Sequence, residues 1–180
     1  METEINRMED IGMKRINYQE AMAETAEHLA HAGVFLTVGG EKPNTMTIGW
    51  AWMGPSWGKN IFVALVRPQR HTYELIKNAG EFTVSVPTTD ALKAQLAFAG
   101  TKSGRDYDKF DGHGLTAVPA QQVNAPIVGE CGLHFECRTV LVQDITGDRM
   151  QEAMHQRSYP EHDFHTMFFG EIVDCYRTDD

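Results

Sequence analysis

The chain has 180 residues, 42% of them hydrophobic, which suits one globular domain with its own core. Sixteen lysines and arginines against 25 aspartates and glutamates give a net charge of −9. A surface this acidic repels nucleic acids and anionic membranes, and no segment approaches the roughly 18 apolar residues of a membrane span. We therefore expect no nucleic-acid or membrane partner, and any anionic ligand has to be held by a local cluster of basic residues.

The cysteines and the first residues bear on the compartment. Cys131, Cys137 and Cys175 are odd in number and have no Cys-x-x-Cys spacing, which is typical of a reduced, cytoplasmic protein. Residues 1–15 lack the apolar core of a signal peptide. We expect one domain over residues 1–180, with residues 1–16 as an extended N-terminal arm.

The first half of the chain alternates predicted helices and strands. Asn17 followed by Glu20 resembles a capping box, and a helical pattern continues to Gly33. Strands are predicted over residues 34–38, 45–52 and 61–66, the last apolar at every position and so expected to be buried on both faces.

The next element is a short helix over residues 72–78, with Thr72 as its N-cap. Residues 82–86 alternate apolar and polar side chains, which predicts a half-exposed strand. A helix over residues 90–99 and a polar loop over 100–110 follow.

The second half contains the two longest predicted strands, over residues 130–142 and 166–176, with a helix over 149–156 between them. About six strands with few helices, not in strict βαβ alternation, favour a mainly β fold: an antiparallel barrel with helical decoration. A doubly wound sheet is less favoured because no Gly-x-Gly-x-x-Gly turn follows a predicted strand.

A basic loop joins the buried strand to the short helix. It runs Arg67-Pro68-Gln69-Arg70-His71-Thr72, so two guanidinium groups, a hydroxyl and the free amides of a helix start come together. Such a cluster favours a phosphate site. The alternative is an ordinary connection whose arginines are solvated or paired with acids.

Two further segments could complete a binding site. Residues 44–50, Asn-Thr-Met-Thr-Ile-Gly-Trp, enter a strand with small side chains that let a flat ligand approach the backbone. Residues 101–110 have a glycine-rich start and two lysines, Lys102 and Lys109, which could close over a phosphate or a ring edge. The alternatives are a threonine-rich strand and a charged surface loop.

Metal and nucleophile patterns are weak. His162-x-x-His165 lies beside Pro160, which disfavours a continuous helix there, and Cys131, Cys137 and His134 do not share one strand face. We predict no metal site. The sequence also has no Gly-x-Ser-x-Gly elbow, so nothing indicates hydrolysis.

Taken in order and spacing, these segments resemble the flavin reductase-like family, FMN-binding split barrels that include flavoredoxin. Residues 57–59, 81–87, 134–137 and 159–172 add to the match. The resemblance implies a six-stranded split barrel that forms a homodimer, with one FMN per subunit near the interface.

The resemblance also implies roles for individual residues. The backbone of Thr45, Met46, Thr47, Ile48 and Gly49 would line the isoalloxazine ring. The other implied cofactor-binding residues are Asn44, Leu65 and Val66, then Arg67, Arg70, His71 and Thr72 at the phosphate, and Ser103, Gly104 and Lys109 closing the site. Trp50, Trp52, Trp57 and His165 would shape the open ring face or a substrate pocket.

The function implied is an FMN-dependent oxidoreductase that moves electrons from NAD(P)H through bound FMN to flavin or another acceptor. The flavin carries the chemistry, so no side chain is assigned a catalytic role. Two alternatives remain: a flavoredoxin-like electron carrier with a redox-protein partner, and a flavin-binding module without turnover.

Overall fold

The computed structural model describes residues 12–178, so eleven residues of the predicted N-terminal arm lie outside the described part. The strands are β1 Lys14–Arg15, β2 Val34–Val38, β3 Asn44–Ile48, β4 Ala51–Ser56, β5 Lys59–Val66, β6 Glu81–Val86, β7 Ala117–Val118, β8 Ile127–Val128, β9 Leu133–Asp144 and β10 Thr166–Arg177. The α-helices are α1 Tyr18–Ala30, α2 His71–Ala79, α3 Lys93–Thr101 and α4 Glu152–Ser158.

The main sheet is antiparallel throughout and curls into a barrel. Its strand order is β3-β2-β6-β9-β10-β5-β4, and β1 pairs with β10. The outermost strands, β3 and β4, are separated in the chain by only Gly49 and Trp50. The three Cα–Cα steps from Ile48 to Ala51 span at most about 11 Å, so the two edges of the sheet have to come close together. The predicted mainly β, antiparallel split barrel in one domain is confirmed, with more strands than the six expected.

Strand β5 carries apolar side chains into both layers beside it. Phe62 belongs to the main core inside the barrel, whereas Val63 belongs to a second cluster with Met167 and Phe169 of β10. All residues from Ile61 to Val66 are buried, which confirms the expectation from their unbroken apolar run.

The prediction of one continuous strand over residues 45–52 is wrong, because the structure has two strands there. β3 ends at Ile48 and β4 begins at Ala51 on the opposite edge of the sheet. Threonine, tryptophan and isoleucine favour extended backbone on both sides of the turn, so strand propensity alone did not mark the break.

The prediction that residues 82–86 form a half-exposed strand is also wrong. Thr83 and Ser85 of β6 are fully buried. The Thr83 hydroxyl donates to the carbonyl of Pro126 (2.6 Å), and the Ser85 hydroxyl accepts from the amide of Val128 (3.1 Å). The segment around β8 therefore covers the polar face of β6 and satisfies its hydroxyls.

The predicted helices exist with shifted ends. The Asn17 side chain caps α1 by accepting from the Gln19 amide (3.1 Å), and α1 ends at Ala30 rather than Gly33. The helix predicted over 90–99 is a 3-10 turn, Asp90–Leu92, followed by α3. That predicted over 149–156 is a 3-10 turn, Gly147–Arg149, then α4.

Two further findings for residues 12–178 concern membrane-spanning helices and metal ions. No helix in this range is both long and apolar enough to cross a membrane. No three histidine, cysteine, aspartate or glutamate side chains of this range meet in an arrangement that could hold a metal ion. The three cysteines are buried and form no disulfide.

Candidate functional site

Two adjoining cavities lie where β3 and β5 meet the start of α2. The first measures about 270 Å³ and the second about 210 Å³. They share Met46, Arg67 and Arg70 in their walls, so they lie side by side, and we describe them together as one cleft. We call the first its cationic end and the second its ring end.

Basic side chains dominate the cationic end. Its lining includes six groups that are or can become positively charged: Arg67, Arg70, His71, Lys102, Arg105 and Lys109. Among the described residues, none that lines this end is an aspartate or glutamate. In a chain of net charge −9, this concentration of positive charge marks the place where an anion would bind.

The start of α2 is built differently from the prediction, and Thr72 as its N-cap is wrong. Arg70 occupies the N-cap position with extended backbone, and the helix begins at His71. The Thr72 hydroxyl instead accepts from the side-chain amide of Asn44 (2.8 Å), which ties α2 to β3. Arg70 donates through Nη1 to the carbonyl of Gly100 (2.9 Å), and this bond links the start of α2 to the end of α3 at the cleft.

Lys109 brings a buried charge to the cationic end. Its Nζ donates to the carbonyls of Thr45 (2.7 Å) and Ala99 (2.9 Å). Burial, with a smaller contribution from the positive charge of Arg70, lowers the pKa of Lys109 to about 8. The ammonium still carries its charge at neutral pH, and it forms no ion pair within residues 12–178. An incoming phosphate would supply the missing negative charge.

The turn at Ser103 and Gly104 packs closely against Asn44 of β3 and His71 of α2. A Cβ on Gly104 would lie 2.0 Å from Oδ1 of Asn44 and 2.8 Å from Cδ2 of His71. Only glycine allows the 103–105 backbone to approach β3 and α2 this closely. The Ser103 hydroxyl accepts from the amide of Arg105 (3.2 Å), which holds the turn in shape.

The ring end is walled by the last residues of β3 and by the turn that leaves it. Met46, Thr47, Ile48, Gly49 and Trp50 form one side, facing Leu65 and His165. The Thr47 hydroxyl donates to the carbonyl of Leu96 (2.6 Å), so α3 fixes this wall from behind.

His165 and Tyr159 form a hydrogen-bonded pair beside the ring end. Nδ1 of His165 lies 2.9 Å from the Tyr159 hydroxyl, and the His165 ring centroid lies 4.9 Å from that of Trp50. Burial, then the charges of Arg67 and Arg70, lower the pKa of His165 to about 4. Burial raises the pKa of Tyr159. Both groups are therefore neutral at physiological pH.

Arg67 stands between the two ends and already has an acidic partner. Its guanidinium pairs with the carboxylate of Asp163 and donates to the carbonyl of Ser158 (3.1 Å). It also lies 5.3 Å from the ring centroid of Tyr159. The side-chain amide of Gln69 donates to the same carboxylate (3.1 Å). The acid-paired alternative considered for these arginines thus applies to Arg67 and not to Arg70.

The fold brings most of the predicted site residues together. Those that line the cleft are Met46, Thr47, Ile48, Gly49, Trp50, Leu65, Arg67, Arg70, His71, Thr72, Ser103, Gly104, Lys109 and His165. Asn44, Thr45 and Val66 are buried outside these linings. Trp52 lines a third cavity, and Trp57 packs on Phe169 (5.8 Å between ring centroids) outside the cleft.

Sequence reasoning missed several members of the site. Gln69 and Arg105 line the cationic end, Asp163 pairs with Arg67, and the Tyr159 hydroxyl contacts His165. Arg105 lies in the predicted polar loop over residues 100–110, so its charge was the available signal. The partnership of residues 67 and 163 spans 96 positions and has no local signature.

Comparison with known proteins identifies the family of this chain. The model of the flavin reductase like domain matches residues 27–180. An uncharacterized protein from Archaeoglobus fulgidus is 36% identical over 148 residues, which cover 82% of this chain and 73% of that protein.

Solved structures of the same fold match as well. Flavoredoxin of Desulfovibrio vulgaris (Miyazaki F) is 29% identical with a TM-score of 0.64, covering 82% of this chain and 70% of flavoredoxin. An NADH:FAD oxidoreductase from Streptomyces globisporus shares the fold at 18% identity and a TM-score of 0.61, covering 92% of this chain and 89% of that one. The chain therefore belongs to the flavin reductase-like family of flavin-binding split barrels.

Proposed function

We propose that this protein is an FMN-dependent oxidoreductase that passes electrons from NAD(P)H through bound FMN to flavin or another acceptor. The observation that carries the proposal is the single cleft, which is cationic at one end and walled by β3 and its turn at the other. FMN has the same polarity, with a dianionic phosphate at one end and an uncharged ring at the other.

The residues present fit the phosphate of FMN. Arg70, Arg105 and Lys109 supply charge without a competing carboxylate in the lining, and Ser103 and the first amides of α2 supply donors. The absence of a side chain at Gly104 lets this turn pack against Asn44 and His71, so that Ser103 and Gly104 line the same end.

The ring end fits the isoalloxazine. The 47–50 backbone would hold the ring edge, and main-chain donors near its pyrimidine would stabilise negative charge on the reduced flavin. When bound, FMN supplies hydride-accepting chemistry. His165, which is neutral, and Trp50, which is 46% exposed, would shape the open face of the ring.

Anaerobic mixing with NADH and with NADPH tests the activity. Reduction by a nicotinamide requires its C4 to come within roughly 3–3.5 Å of the flavin N5. Rapid bleaching of the visible flavin band supports the oxidoreductase. Protein that binds FMN and shows no bleaching by either nucleotide over minutes would overturn it.

A second candidate is an electron carrier, favoured by the 29% identity with flavoredoxin. Bound FMN would then shuttle electrons between redox-protein partners. Reduction by a ferredoxin-type donor, with none by either nicotinamide, would support the carrier. FMN that neither donor reduces would leave a flavin-binding module without turnover.

We also propose that the protein works in the cytoplasm as a homodimer. Val140, Leu141 and Val142 of β9 are about 40% exposed, and Trp57 is 64% exposed beside Phe169 of the neighbouring β10. An apolar patch of this kind is typical of a protein interface. Sedimentation equilibrium of the flavin-loaded protein should give twice the monomer mass of 20.2 kDa, and a flavin-loaded monomer would contradict it.

A further inference from the structure

A third cavity adjoins the ring end and is not used by the proposed FMN site. It measures about 810 Å³ and lies between the turn that leads into β4 and the segment that carries α4. It shares Gly49, Trp50 and Leu65 with the ring end, so a molecule inside it would sit beside a bound flavin ring. Its volume falls within the roughly 300–1,000 Å³ of small-molecule sites.

The walls of this α4 cavity are mainly apolar and aromatic. Trp52 and Ile145 contribute on the barrel side, and Met150 and Met154 contribute from the α4 segment. Trp52 and Met154 are about half exposed, and large apolar side chains exposed at such a cavity favour an apolar occupant. Flat aromatic rings pack well against indole and thioether groups.

One positive charge stands at this apolar site. Among the described residues that line the cavity, Arg157 alone carries a charged side chain. Its guanidinium forms no ion pair within residues 12–178. Its planar donors match a carboxylate in two-point contact.

The inner wall toward the flavin site is neutral and hydrogen-bonded. Tyr159 lines the α4 cavity, and its hydroxyl contacts Nδ1 of His165 (2.9 Å), which lines the ring end. No negative charge from this wall therefore opposes an anion held by Arg157.

We propose that the α4 cavity binds a flat aromatic monocarboxylate, with its ring between Trp52 and the methionines of the α4 segment and its carboxylate on Arg157. The location of this ligand beside the flavin rests on the function proposed above, whereas its binding to the cavity does not. Its position beside the ring end makes it a candidate electron acceptor or a ligand that controls access to the flavin.

Isothermal titration of the FMN-loaded protein with naphthoate, and with the uncharged naphthalenemethanol as a matched probe, tests the proposal. We expect Arg157→Gln to weaken naphthoate about tenfold and to leave naphthalenemethanol within twofold. Arg149→Gln is the matched control, because the Arg149 side chain is 93% exposed and lies outside the cavity lining. Trp52→Ala should weaken both probes.

Two outcomes would overturn the proposal. These are no naphthoate binding, or equal losses of naphthoate affinity in the Arg157 and Arg149 variants. Binding that follows the expected pattern without flavin bleaching by a nicotinamide would support the cavity and contradict only the oxidoreductase.

Discussion

The guanidinium of Arg67 pairs with the carboxylate of Asp163, although Arg67 lines the end of the cleft that concentrates positive charge. The side chain of Arg70, three residues later, donates to the carbonyl of Gly100 and forms no ion pair within the described residues. The two arginines of one loop therefore differ in their freedom to bind an anion. Arg67 orders the wall that carries Tyr159 and His165, and Arg70 retains its charge for the ligand.

The first prediction separates these two roles. Arg70→Ala should weaken FMN about ten- to hundredfold, because a charge-assisted hydrogen bond contributes about 1.5–3 kcal/mol. Riboflavin, which lacks the phosphate, should lose less than threefold. Arg67→Ala should weaken FMN and riboflavin alike, because it loosens a wall of the ring end. Flavin fluorescence titration measures all four affinities.

The control for charge alone is Arg149→Ala, which removes an exposed arginine outside the cleft. Its FMN affinity should equal that of the unaltered protein. If Arg70→Ala weakened riboflavin as much as FMN, the assignment of Arg70 to the phosphate would be wrong.

A second prediction concerns Lys109 and pH. Its pKa is about 8 without ligand, and a bound phosphate would raise it because the negative charge favours the ammonium. FMN affinity should then be highest near pH 7, where the phosphate is a dianion (second pKa about 6) and the ammonium is charged, and it should fall severalfold as the pH rises above 8. Riboflavin affinity measured in parallel corrects for titration of the ring itself.

The variant Lys109→Gln should flatten this difference between FMN and riboflavin. His71 and Arg105 also line the cationic end. An arginine keeps its charge throughout this pH range. Burial and the charges of Arg105 and Lys109 lower the pKa of His71 below its ordinary value, so His71 does not change its charge above pH 8. A pH dependence that persists in Lys109→Gln would assign it to another group.

A third prediction tests the close approach at Gly104. Gly104→Ala should displace the turn from Asn44 and His71, cost about 1–3 kcal/mol in stability and weaken FMN at least tenfold. Gly54→Ala is the matched control, because a Cβ there meets no atom within 4 Å. Urea unfolding and FMN titration of both variants provide the measurements. Equal behaviour of the two would show that the approach at Gly104 does not limit the site.

Local patterns predicted the elements well where one physical signal dominated. The unbroken apolar run of 61–66 gave a doubly buried strand, and Asn17 capped a helix as expected. Residues 67–72 were predicted to bind a phosphate from their charge, and residues 44–50 to bind a flat ring from their small side chains. The fold brings both segments to one cleft.

The errors arose where distant segments decide the outcome. Thr83 and Ser85 alternate as if exposed, but a segment some 43 residues away covers them. Thr72 resembles an N-cap, but Asn44 from β3 engages its hydroxyl. The partner of Arg67 lies 96 residues away, so no local pattern could divide the roles of the two arginines.

The last prediction concerns His134, which is fully buried between Ser85 and Thr178. Its Nδ1 lies 3.0 Å from the Ser85 hydroxyl and its Nε2 lies 3.2 Å from the Thr178 hydroxyl. Burial lowers the pKa of His134 to about 4, whereas an unfolded chain has a histidine pKa of about 6.5. Between these values the unfolded chain binds more protons, so stability is retained above pH 6.5 and lost as the pH falls toward 4.

The loss attributable to His134 should be of the order of 3 kcal/mol over this range. Urea unfolding of the unaltered protein, of His134→Gln and of the exposed control His31→Gln at pH 7.5 and pH 4.5 measures it. His134→Gln should be less stable at pH 7.5, by about 1–2 kcal/mol, because its hydrogen bonds are imperfectly replaced. Its further loss on acidification should be clearly smaller than that of the unaltered protein and of the control. A loss on acidification equal in all three would mean that His134 does not become charged on unfolding in this range, and the acid sensitivity would then belong to other groups.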